Sequence, residues 1–411
     1  TLGASIFSYP IIAAQFYRVS FVGLLAALPL IPLSALITAF GFLLIPITLF
    51  SKWLGQLYGD ATGYLSHAQL VLTKLFAHVP AAAHSAASPS WIFLALLVAS
   101  MFYCLWGKTR LQLMGRVILT AAFFLVLWEI GIPFTNSVLA KNKGKLQVLF
   151  FDVGQGDCIF FNTPTGKNYF VDFGNVDYAG NAVLERTALP FLRAENITHI
   201  DAGFISHMHI DHIGGAPTLL HDCSIASILT SGERVGNSIA RELDTQAREQ
   251  HIATRILSRG DTVQLDSDLV LYVLSPDPRV RVSEHTEFGE NIHDGMLAFK
   301  LVYRNTSFLF LGDIERSEEE TMLAYYGDFL RSNVVKVAHH GSLTSSSKEF
   351  VLATHPEFAV ISVGEHNNFG HPAPAIVKRW MTSGANVLRT DHDGAVLLTS
   401  DGNVVKRVNW R

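Results

Sequence analysis

The hydrophobic positions of this chain follow different patterns before and after about residue 135. In the first part, long apolar stretches occupy residues 21–50, 91–107 and 117–134, and Glu129 is the only charged residue within them. A helix needs about 20 apolar residues to cross a bilayer. The pattern therefore predicts α-helical transmembrane segments over residues 1–135.

The first apolar stretch is longer than one span and contains Pro29, Pro32 and Pro46. These prolines predict either one long, kinked helix or a broken one. A buried core of a soluble domain is the alternative interpretation, which we disfavour because core helices of soluble proteins carry a polar face. Residues 64–79 have apolar positions at helical spacing, which favours an interfacial helix.

After residue 136 the apolar runs become short and are separated by polar turns, which is typical of strands. Strands are expected at residues 146–153, 158–163, 168–174, 199–206, 269–275, 297–303, 307–313, 334–340 and 358–364. Helices are expected at residues 233–250, 315–331 and 373–383. This alternation predicts a soluble α/β domain over residues 136–411.

Composition agrees with a membrane segment attached to a soluble domain. Hydrophobic residues make up 49% of the chain and charged residues only 16%, which is too apolar for an ordinary soluble protein. The net charge of −4 gives no global basic signature of nucleic-acid binding. The three widely spaced cysteines exclude a disulfide framework and a paired-cysteine metal site.

The sequence "SHMHIDHIGG" at residues 206–215 is the strongest chemical signal. His207 and His209 can converge on one metal ion, while Asp211 and His212 can turn toward a second ion nearby. Imidazole together with carboxylate suits zinc or manganese better than calcium. A histidine-rich surface loop is the alternative, but it explains neither the preceding strand nor the two glycines that follow.

Polar residues at the ends of later strands extend this set. Asp313 ends the strand "FLFLGD", where its carboxylate could bridge two ions, and His339 and His340 follow the strand "VVKVA". Asp172 ends an earlier strand and could orient a ligand from behind. The sequence therefore predicts two divalent metal ions, zinc or manganese, at one edge of the sheets.

Together these motifs resemble the metallo-β-lactamase fold and, more narrowly, the C-terminal part of ComEC-type DNA-internalisation proteins. The segments that carry the narrower resemblance are "DVGQGDC", "SHMHIDHIGG", "LGDIE", "VVKVAHHGSLTSSS", "AVISVGEHNNFGHP" and "RTDHDGAV". The resemblance implies an αββα sandwich attached to the end of a multispan competence domain. Because the chain opens at Thr1 within an apolar stretch, we expect it to be part of a longer protein.

The resemblance also implies a ligand set. Its members are His207 and His209 for a first metal ion, Asp211 and His212 for a second, Asp313 as the bridge, and either His339 or His340 as the strand-end histidine. Many superfamily members complete the first site with a further histidine, but the segment "VLSPDPRV" has none. We expect that site to be incomplete or to use a substitute such as His293, for which a loop position is the favoured interpretation. Cys158 replaces the usual serine and is expected to be structural.

Two further sites are candidates for contacts with substrate. The hydroxyl groups of Ser342, Thr344 and Ser345 could hold a phosphate, and a helix N-cap is the alternative that is compatible with it. His371, in "NNFGHP", could act as a general acid or contact a phosphate. A turn histidine before Pro372 is the alternative.

The leading functional hypothesis is a metal-dependent nuclease, with Asp211, Asp313 and His371 in catalytic roles. The resemblance implies natural transformation, in which one strand of DNA is degraded while the other crosses the membrane. It also implies other competence proteins as partners, and an inner-membrane, multi-pass location with the nuclease domain outside the cytoplasm. The alternatives are a transport module that binds DNA without cutting it and a membrane-anchored small-molecule hydrolase.

Overall fold

The computed structural model describes residues 18–20, 22–77, 79, 84–85, 99–100, 102–103, 106, 109–129, 137–279, 284–285 and 295–409. The chain divides into two compact units, Thr1–Asn136 and Ser137–Arg411.

The long helices of the first unit are α1 (Val22–Phe50), α2 (Lys52–Ala77) and α3 (Arg110–Glu129). Helix α1 continues through all three of its prolines, so the expectation of one long helix is right and that of a broken span is wrong. Within the described residues, its Leu25–Phe50 part is the one helix long and apolar enough to cross a membrane.

The other expected membrane segments are covered only in part. Helix α3 begins before residue 117 and contains most of the third apolar stretch, whereas residues 91–98 and 130–134 lie outside the described residues. Residues 64–77 of the expected interfacial helix at 64–79 belong to the longer α2. Ser34 on α1 accepts a hydrogen bond of 2.9 Å from the Gln69 side chain on α2.

The second unit contains two large mixed sheets. The first sheet has the strand order β6-β5-β4-β3-β2-β1-β14-β15 and the second has β7-β8-β9-β10-β11-β12-β13. The strands are β1 (Leu146–Phe150), β2 (Cys158–Asn162), β3 (Asn168–Phe173), β4 (Ala202–Ile205), β5 (Ser227–Thr230), β6 (Ala253–Ile256), β7 (Thr262–Asp266), β8 (Leu269–Ser275), β9 (Ala298–Tyr303), β10 (Thr306–Phe310), β11 (Val334–Lys336), β12 (Phe358–Ile361), β13 (Asn386–Arg389), β14 (Val396–Ser400) and β15 (Val405–Val408). Each sheet has a parallel half and an antiparallel half: β3 to β6 and β10 to β13 are parallel.

Alternate side chains of each strand face either the other sheet or the helices, as the two-residue period of a strand requires. On β1, Val148 and Phe150 belong to the core between the sheets, while Leu149 packs on the helix side. The ring centroids of Phe150 and Phe310 lie 6.4 Å apart across the two sheets. The core therefore joins the sheets face to face.

Helices cover both outer faces, which completes the expected αββα sandwich. The helices of this unit are α4 (Val138–Lys141), α5 (Ala188–Ala194), α6 (Ile210–Ile213), α7 (Ala216–Asp222), α8 (Ser238–Glu249), α9 (Arg316–Tyr326), α10 (Lys348–Thr354), α11 (Pro374–Thr382) and α12 (Thr390–Asp393). Buried residues of α5 to α8 pack on the first sheet, and buried residues of α9 to α11 pack on the second.

The helices expected from sequence are present with shorter bounds. Helix α8 begins after residue 237 because the Asn237 side chain caps it, accepting a hydrogen bond of 2.7 Å from the Ala240 N–H. Helix α9 ends at Tyr326, where Gly327 has a φ of 45° that a helix cannot continue through. Helix α11 begins at Pro374, which suits the first turn because proline lacks an N–H.

Candidate metal centre

The carboxyl ends of four parallel strands bring the polar residues of the sequence motifs together. Strand β3 of the first sheet carries Asp172 near its end, and β4 leads to the histidine cluster at residues 207–212. Strands β10 and β11 of the second sheet lead to Asp313 and His340. Loops at the carboxyl ends of parallel strands are where open α/β sheets bind ligands. The two sheets therefore contribute to one site.

The histidine cluster is held by close backbone packing. Strand β4 ends at Ile205, and the chain enters α6 directly after His209. A Cβ atom at Gly215 would lie 2.3 Å from the Phe173 carbonyl oxygen, and one at Gly214 would lie 2.6 Å from the Ile210 carbonyl oxygen. These two glycines are therefore required for close approach to neighbouring backbone, and not for the unusual dihedral angles that a sharp turn would need.

Four side chains converge at the centre of the site: Asp211, His212, Asp313 and His340. His340 Nε2 lies 3.3 Å from Asp211 Oδ2 and 3.3 Å from Asp313 Oδ2. His212 Nε2 lies 3.4 Å from Asp313 Oδ2 and 3.8 Å from Asp211 Oδ2. We call these four residues the central quartet. One ligand atom from each lies within 4.8 Å of the others.

Hydrogen bonds behind the quartet fix the orientation of both imidazole rings. His212 Nδ1 is 2.9 Å from Asp172 Oδ2, and Asp172 also accepts hydrogen bonds from the backbone and hydroxyl of Ser206. His340 Nδ1 is 2.9 Å from the Ser362 carbonyl oxygen. Since Nδ1 is engaged in each ring, Nε2 is the atom that faces the centre, as is common for metal-binding histidines.

Opposite charges compensate for burial in the quartet. Burial acts against ionisation of Asp211, but His212 and His340 outweigh it and lower the pKa of Asp211 to about 2. Burial also acts against charge on His340, but Asp313 and Asp211 outweigh it and raise its pKa to about 10. In the same way the pKa of His212 lies well above its usual value.

The quartet has the chemistry of a metal site. The Nε2 atoms of His212 and His340 are buried and, within the part of the chain that the structure describes, have no hydrogen-bond partner. Such orphaned polar atoms are rare in folded proteins and call for an explanation such as an ion. Two imidazoles and two carboxylates suit zinc or manganese. The residues present therefore fit the divalent ion that the sequence motifs predict.

A second group adjoins the quartet and shares Asp211 with it. The ligand atoms of His207, His209 and Asp211 lie within 4.8 Å of one another, and His207 Nε2 is 3.0 Å from His209 Nδ1. This group has two imidazoles and one carboxylate. Asp211 belongs to both groups, whereas Asp313 belongs to the quartet. His293, the expected substitute ligand, lies outside the described residues.

The structure separates the two adjacent histidines. His340 enters the quartet, whereas His339 lies at the rim, with its Nδ1 3.4 Å from Glu315 Oε1. Both residues have positive φ angles of 49° and 52°, which reverse the chain after β11. His371 is also at the rim, with its ring 5.6 Å from that of His339. Burial, together with His339 and His340, lowers the pKa of His371.

The three hydroxyl residues after His340 take different places. The Ser342 and Thr344 hydroxyls are 3.0 Å apart, and Thr344 Oγ1 is 3.3 Å from His339 Nδ1. Ser345 is buried and its hydroxyl donates to the backbone carbonyls of Ala338 and Ser342. The alternative interpretation, that one of these three residues caps the following helix, is wrong. Ser347 caps α10, because its hydroxyl is the one positioned to accept from the Phe350 N–H.

Two buried residues behind the centre were not assigned a role from the sequence. Lys336 Nζ forms an ion pair with Asp157, lies 3.6 Å from Asp313 Oδ1 and donates to the Gly312 carbonyl oxygen at 3.1 Å. Asp157 also donates its backbone N–H to the Asp211 carbonyl oxygen at 3.1 Å. The available signal was a lysine inside the apolar strand "VVKVA", since a charge in a buried strand requires a partner.

Comparison with known families identifies the family to which this domain belongs. Residues 151–366, more than half of the chain, match the family described as "Metallo-beta-lactamase superfamily". The chain belongs to the metallo-beta-lactamase superfamily. Residues 1–111 match a second family, described as "Competence protein". The expected resemblance to ComEC-type proteins, a competence domain followed by a metallo-beta-lactamase domain, is thus confirmed.

Curated relatives of this chain include two proteins of similar sequence. The chain is 26% identical over 299 residues to ComE operon protein 3 of Bacillus subtilis (strain 168), covering 70% of this chain and 36% of that protein. It is 28% identical over 257 residues to Competence protein ComA of Neisseria gonorrhoeae, covering 62% and 33%. The chain thus spans about a third of the length of these curated relatives.

Solved structures related to the metallo-beta-lactamase domain are distant in sequence. CmlA, a diiron beta-hydroxylase from Streptomyces venezuelae, matches with a TM-score of 0.41 and 14% identity, covering 65% of this chain and 54% of that chain. The metallo-beta-lactamase fold protein YhfI from Bacillus subtilis matches with a TM-score of 0.39 and 11% identity, covering 61% and 98%.

Proposed function

We propose that the metallo-beta-lactamase domain is a metal-dependent phosphodiesterase that cleaves DNA. The observation that supports this most directly is the central quartet, in which two buried, orphaned Nε2 atoms face two carboxylates. A competence domain in the same chain makes DNA the favoured substrate. Two divalent ions, zinc or manganese, are the proposed cofactors.

Bound divalent ions would supply a water acidic enough to ionise near neutral pH and positive charge for the phosphate oxygens. Asp211, His212, Asp313 and His340 would hold one ion, and His207 and His209 together with Asp211 would hold the other. Asp172 holds the His212 ring in the orientation that directs Nε2 toward the centre of the quartet. The pair of Lys336 and Asp157 fixes the position of Asp313 from behind.

Residues at the rim would handle the substrate. His371, whose pKa is lowered by burial and by the two neighbouring histidines, is neutral at physiological pH and can donate a hydrogen bond to a leaving oxygen. Ser342 and Thr344 place hydroxyl groups beside His339, where they can contact a phosphate. Ser345 supports this loop through its two bonds to backbone carbonyls.

In the cell, this activity would belong to DNA uptake. We propose that one DNA strand is degraded by the metallo-beta-lactamase domain while the other enters through the competence domain. The chain would then be a multi-pass protein of the inner membrane, with the nuclease domain outside the cytoplasm and other competence proteins as partners. The apolar helix Leu25–Phe50 supports the membrane location.

A DNA-binding module without nuclease activity is the second candidate. It is favoured by the group of His207, His209 and Asp211, which among the described residues has no third imidazole. A metal ion held by fewer ligands binds more weakly, and activity then depends on metal supply.

One experiment separates these functions. The full chain, purified in detergent and stripped with a chelator, is given Mn²⁺ or Zn²⁺ and then linear DNA with each strand labelled separately. We expect metal-dependent cleavage, with a preference for one strand. DNA binding without cleavage would favour the transport module, and hydrolysis of a β-lactam or a lactone in place of DNA would favour a small-molecule hydrolase.

A further inference from the structure

A cavity of about 480 Å³ opens in the metallo-beta-lactamase domain between three loops. The loops are residues 153–155, residues 175–178 and residues 364–369, and Val183 and Arg186 complete the lining. Binding sites for small molecules have volumes of about 300–1,000 Å³. The cavity is therefore large enough for one nucleotide.

Two aromatic rings in the cavity lining are exposed to an unusual degree. Residue Tyr178 is 99% exposed and residue Phe369 is 70% exposed. An exposed ring contributes little to folding stability, because it removes almost no apolar surface from water. Aromatic rings in such positions are typical of surfaces that stack against the bases of single-stranded nucleic acids.

The Phe369 side of the cavity leads to the metal centre. The Phe369 ring is stacked 5.8 Å from the His371 ring, and the His371 ring lies 5.6 Å from that of His339. The His339 ring in turn lies 6.4 Å from the ring of His340, a member of the quartet. A continuous row of rings therefore runs from the cavity to the metal ligands.

On its other side, the cavity is lined by a loop that packs against the backbone of the metal-ligand loop. A Cβ atom at Gly156 would lie 2.2 Å from the Asp211 carbonyl oxygen, so the loop that carries Gln155 packs directly against the ligand loop.

The loop that carries Phe369 is held in shape by its own asparagine. Asn367 donates its side-chain amide to the carbonyl oxygens of Gly364 and His371, and it accepts from the N–H groups of Phe369 and His371. The ring is therefore presented by an ordered loop. Such preorganisation reduces the entropy that binding would otherwise cost.

We propose that this cavity binds the bases of a single DNA strand by stacking on Tyr178 and Phe369, and that it thereby places the adjoining phosphodiester at the metal centre. This inference rests on the proposed nuclease function. Stacking requires a free base face, so a single strand fits and a duplex does not. The lining contains Arg186 but also Asp177 and Glu365, so we expect stacking, and not phosphate charge, to dominate binding here.

The first test measures binding without cleavage. The full chain in detergent is kept in excess chelator and titrated into a fluorescent oligothymidylate, or into an abasic oligonucleotide of the same length, while anisotropy is followed. We expect the oligothymidylate to bind at least about 5-fold more tightly, since stacking contributes about 5- to 150-fold in affinity per base. Equal binding of the two oligonucleotides would overturn the proposal without any variant being needed.

Variants then locate the effect. Tyr178→Ala and Phe369→Ala should each reduce the preference for bases, and the double variant should remove it. Tyr178→Phe and Phe369→Tyr keep a ring and should bind as the parent does. Tyr325→Ala removes an aromatic ring that is 59% exposed outside this cavity and serves as the matched control. Unchanged binding by the double alanine variant would overturn the proposal.

Cleavage distinguishes this inference from the function on which it rests. With metal restored, Tyr178→Ala should cleave the abasic oligonucleotide as fast as the parent, because Tyr178 is 99% exposed and the metal centre is intact. It should cleave the oligothymidylate more slowly than the parent at low substrate concentration. If the parent cleaves neither oligonucleotide, the proposed nuclease function fails, while the chelated binding measurement still decides whether the cavity recognises bases.

Discussion

The chemistry of the site depends on which nitrogen of each histidine is left to face the centre. His212 and His340 each use Nδ1 for a hydrogen bond to a fixed oxygen, and this leaves Nε2 toward the two carboxylates. A sequence shows that histidines are present but does not show the partner behind each ring. That is why His339 and His340 could not be separated from sequence, and why Lys336 and Asp157 were not found.

Removing either quartet carboxylate should abolish metal-dependent DNA cleavage. We expect Asp211→Asn and Asp313→Asn each to lower the cleavage rate more than about 100-fold. Mutation of a residue that only supports a metal ligand already lowers metal affinity or activity by about 10–100-fold. Asp244→Asn on α8 removes an exposed carboxylate, with its side chain 71% exposed, and should leave the rate unchanged. A double variant of Asp211 and Asp313 that cleaves at the parental rate would refute the mechanism.

The buried ion pair behind the site should be a large contributor to stability. In Lys336→Met, Asp157 stays buried without its cation, and breaking a buried pair in this way costs roughly 3–5 kcal/mol. Adding Asp157→Asn should recover part of this loss, and Lys406→Met, an exposed lysine on β15, is the control. Denaturant unfolding measures the change. A loss below about 1 kcal/mol for Lys336→Met would contradict the inferred role.

At the scale of elements, the apolar periodicity was sufficient to place the strands that lead to the site. The strands expected near residues 146–153, 168–174 and 334–340 are β1, β3 and β11 with shorter bounds. Strand β11 ends at Lys336 because the chain turns over Ala338–Gly341 and brings His340 into the site, whereas Asp172 stays within β3. The order of the strands in the two sheets was not predictable, because it depends on pairings between distant residues.

The loop after His340 is anchored by helix α9, which no local sequence pattern indicates. The buried carboxylate of Glu319 accepts hydrogen bonds from the N–H groups of Ser346, at 2.5 Å, and Ser347, at 2.7 Å. In Glu319→Ala both N–H groups lose their partner, at a cost of about 1–3 kcal/mol each. We expect a lower free energy of unfolding and faster proteolysis within residues 342–347.

The exposed neighbour Glu320 supplies the control for that variant. Glu320→Ala removes an exposed carboxylate from the same helix and should leave both the free energy of unfolding and the proteolysis rate near those of the parent. If Glu319→Ala and Glu320→Ala behaved alike, the loop would be held by other contacts.

At the scale of the whole molecule, the second unit has its own core. Its two sheets enclose one apolar cluster, and helices cover a further cluster on each outer face. Helix α4, at the start of this unit, is also attached to it, because the N–H of Val138 donates a hydrogen bond of 2.7 Å to the Glu195 carboxylate. We therefore predict that residues 137–411 expressed alone are soluble and melt cooperatively. An aggregated or molten product in the presence of metal would contradict this.

Counting the bound metal ions tests the central claim most directly. The chelated full chain is titrated with Mn²⁺ or Zn²⁺ by calorimetry while DNA cleavage is followed in parallel. We predict two ions per chain, with the ion held by His207, His209 and Asp211 bound more weakly because that group has fewer ligands. His340→Ala should lose the tighter ion, and cleavage should rise with occupancy. Cleavage in excess chelator, or a parent chain that binds no divalent ion, would contradict the account.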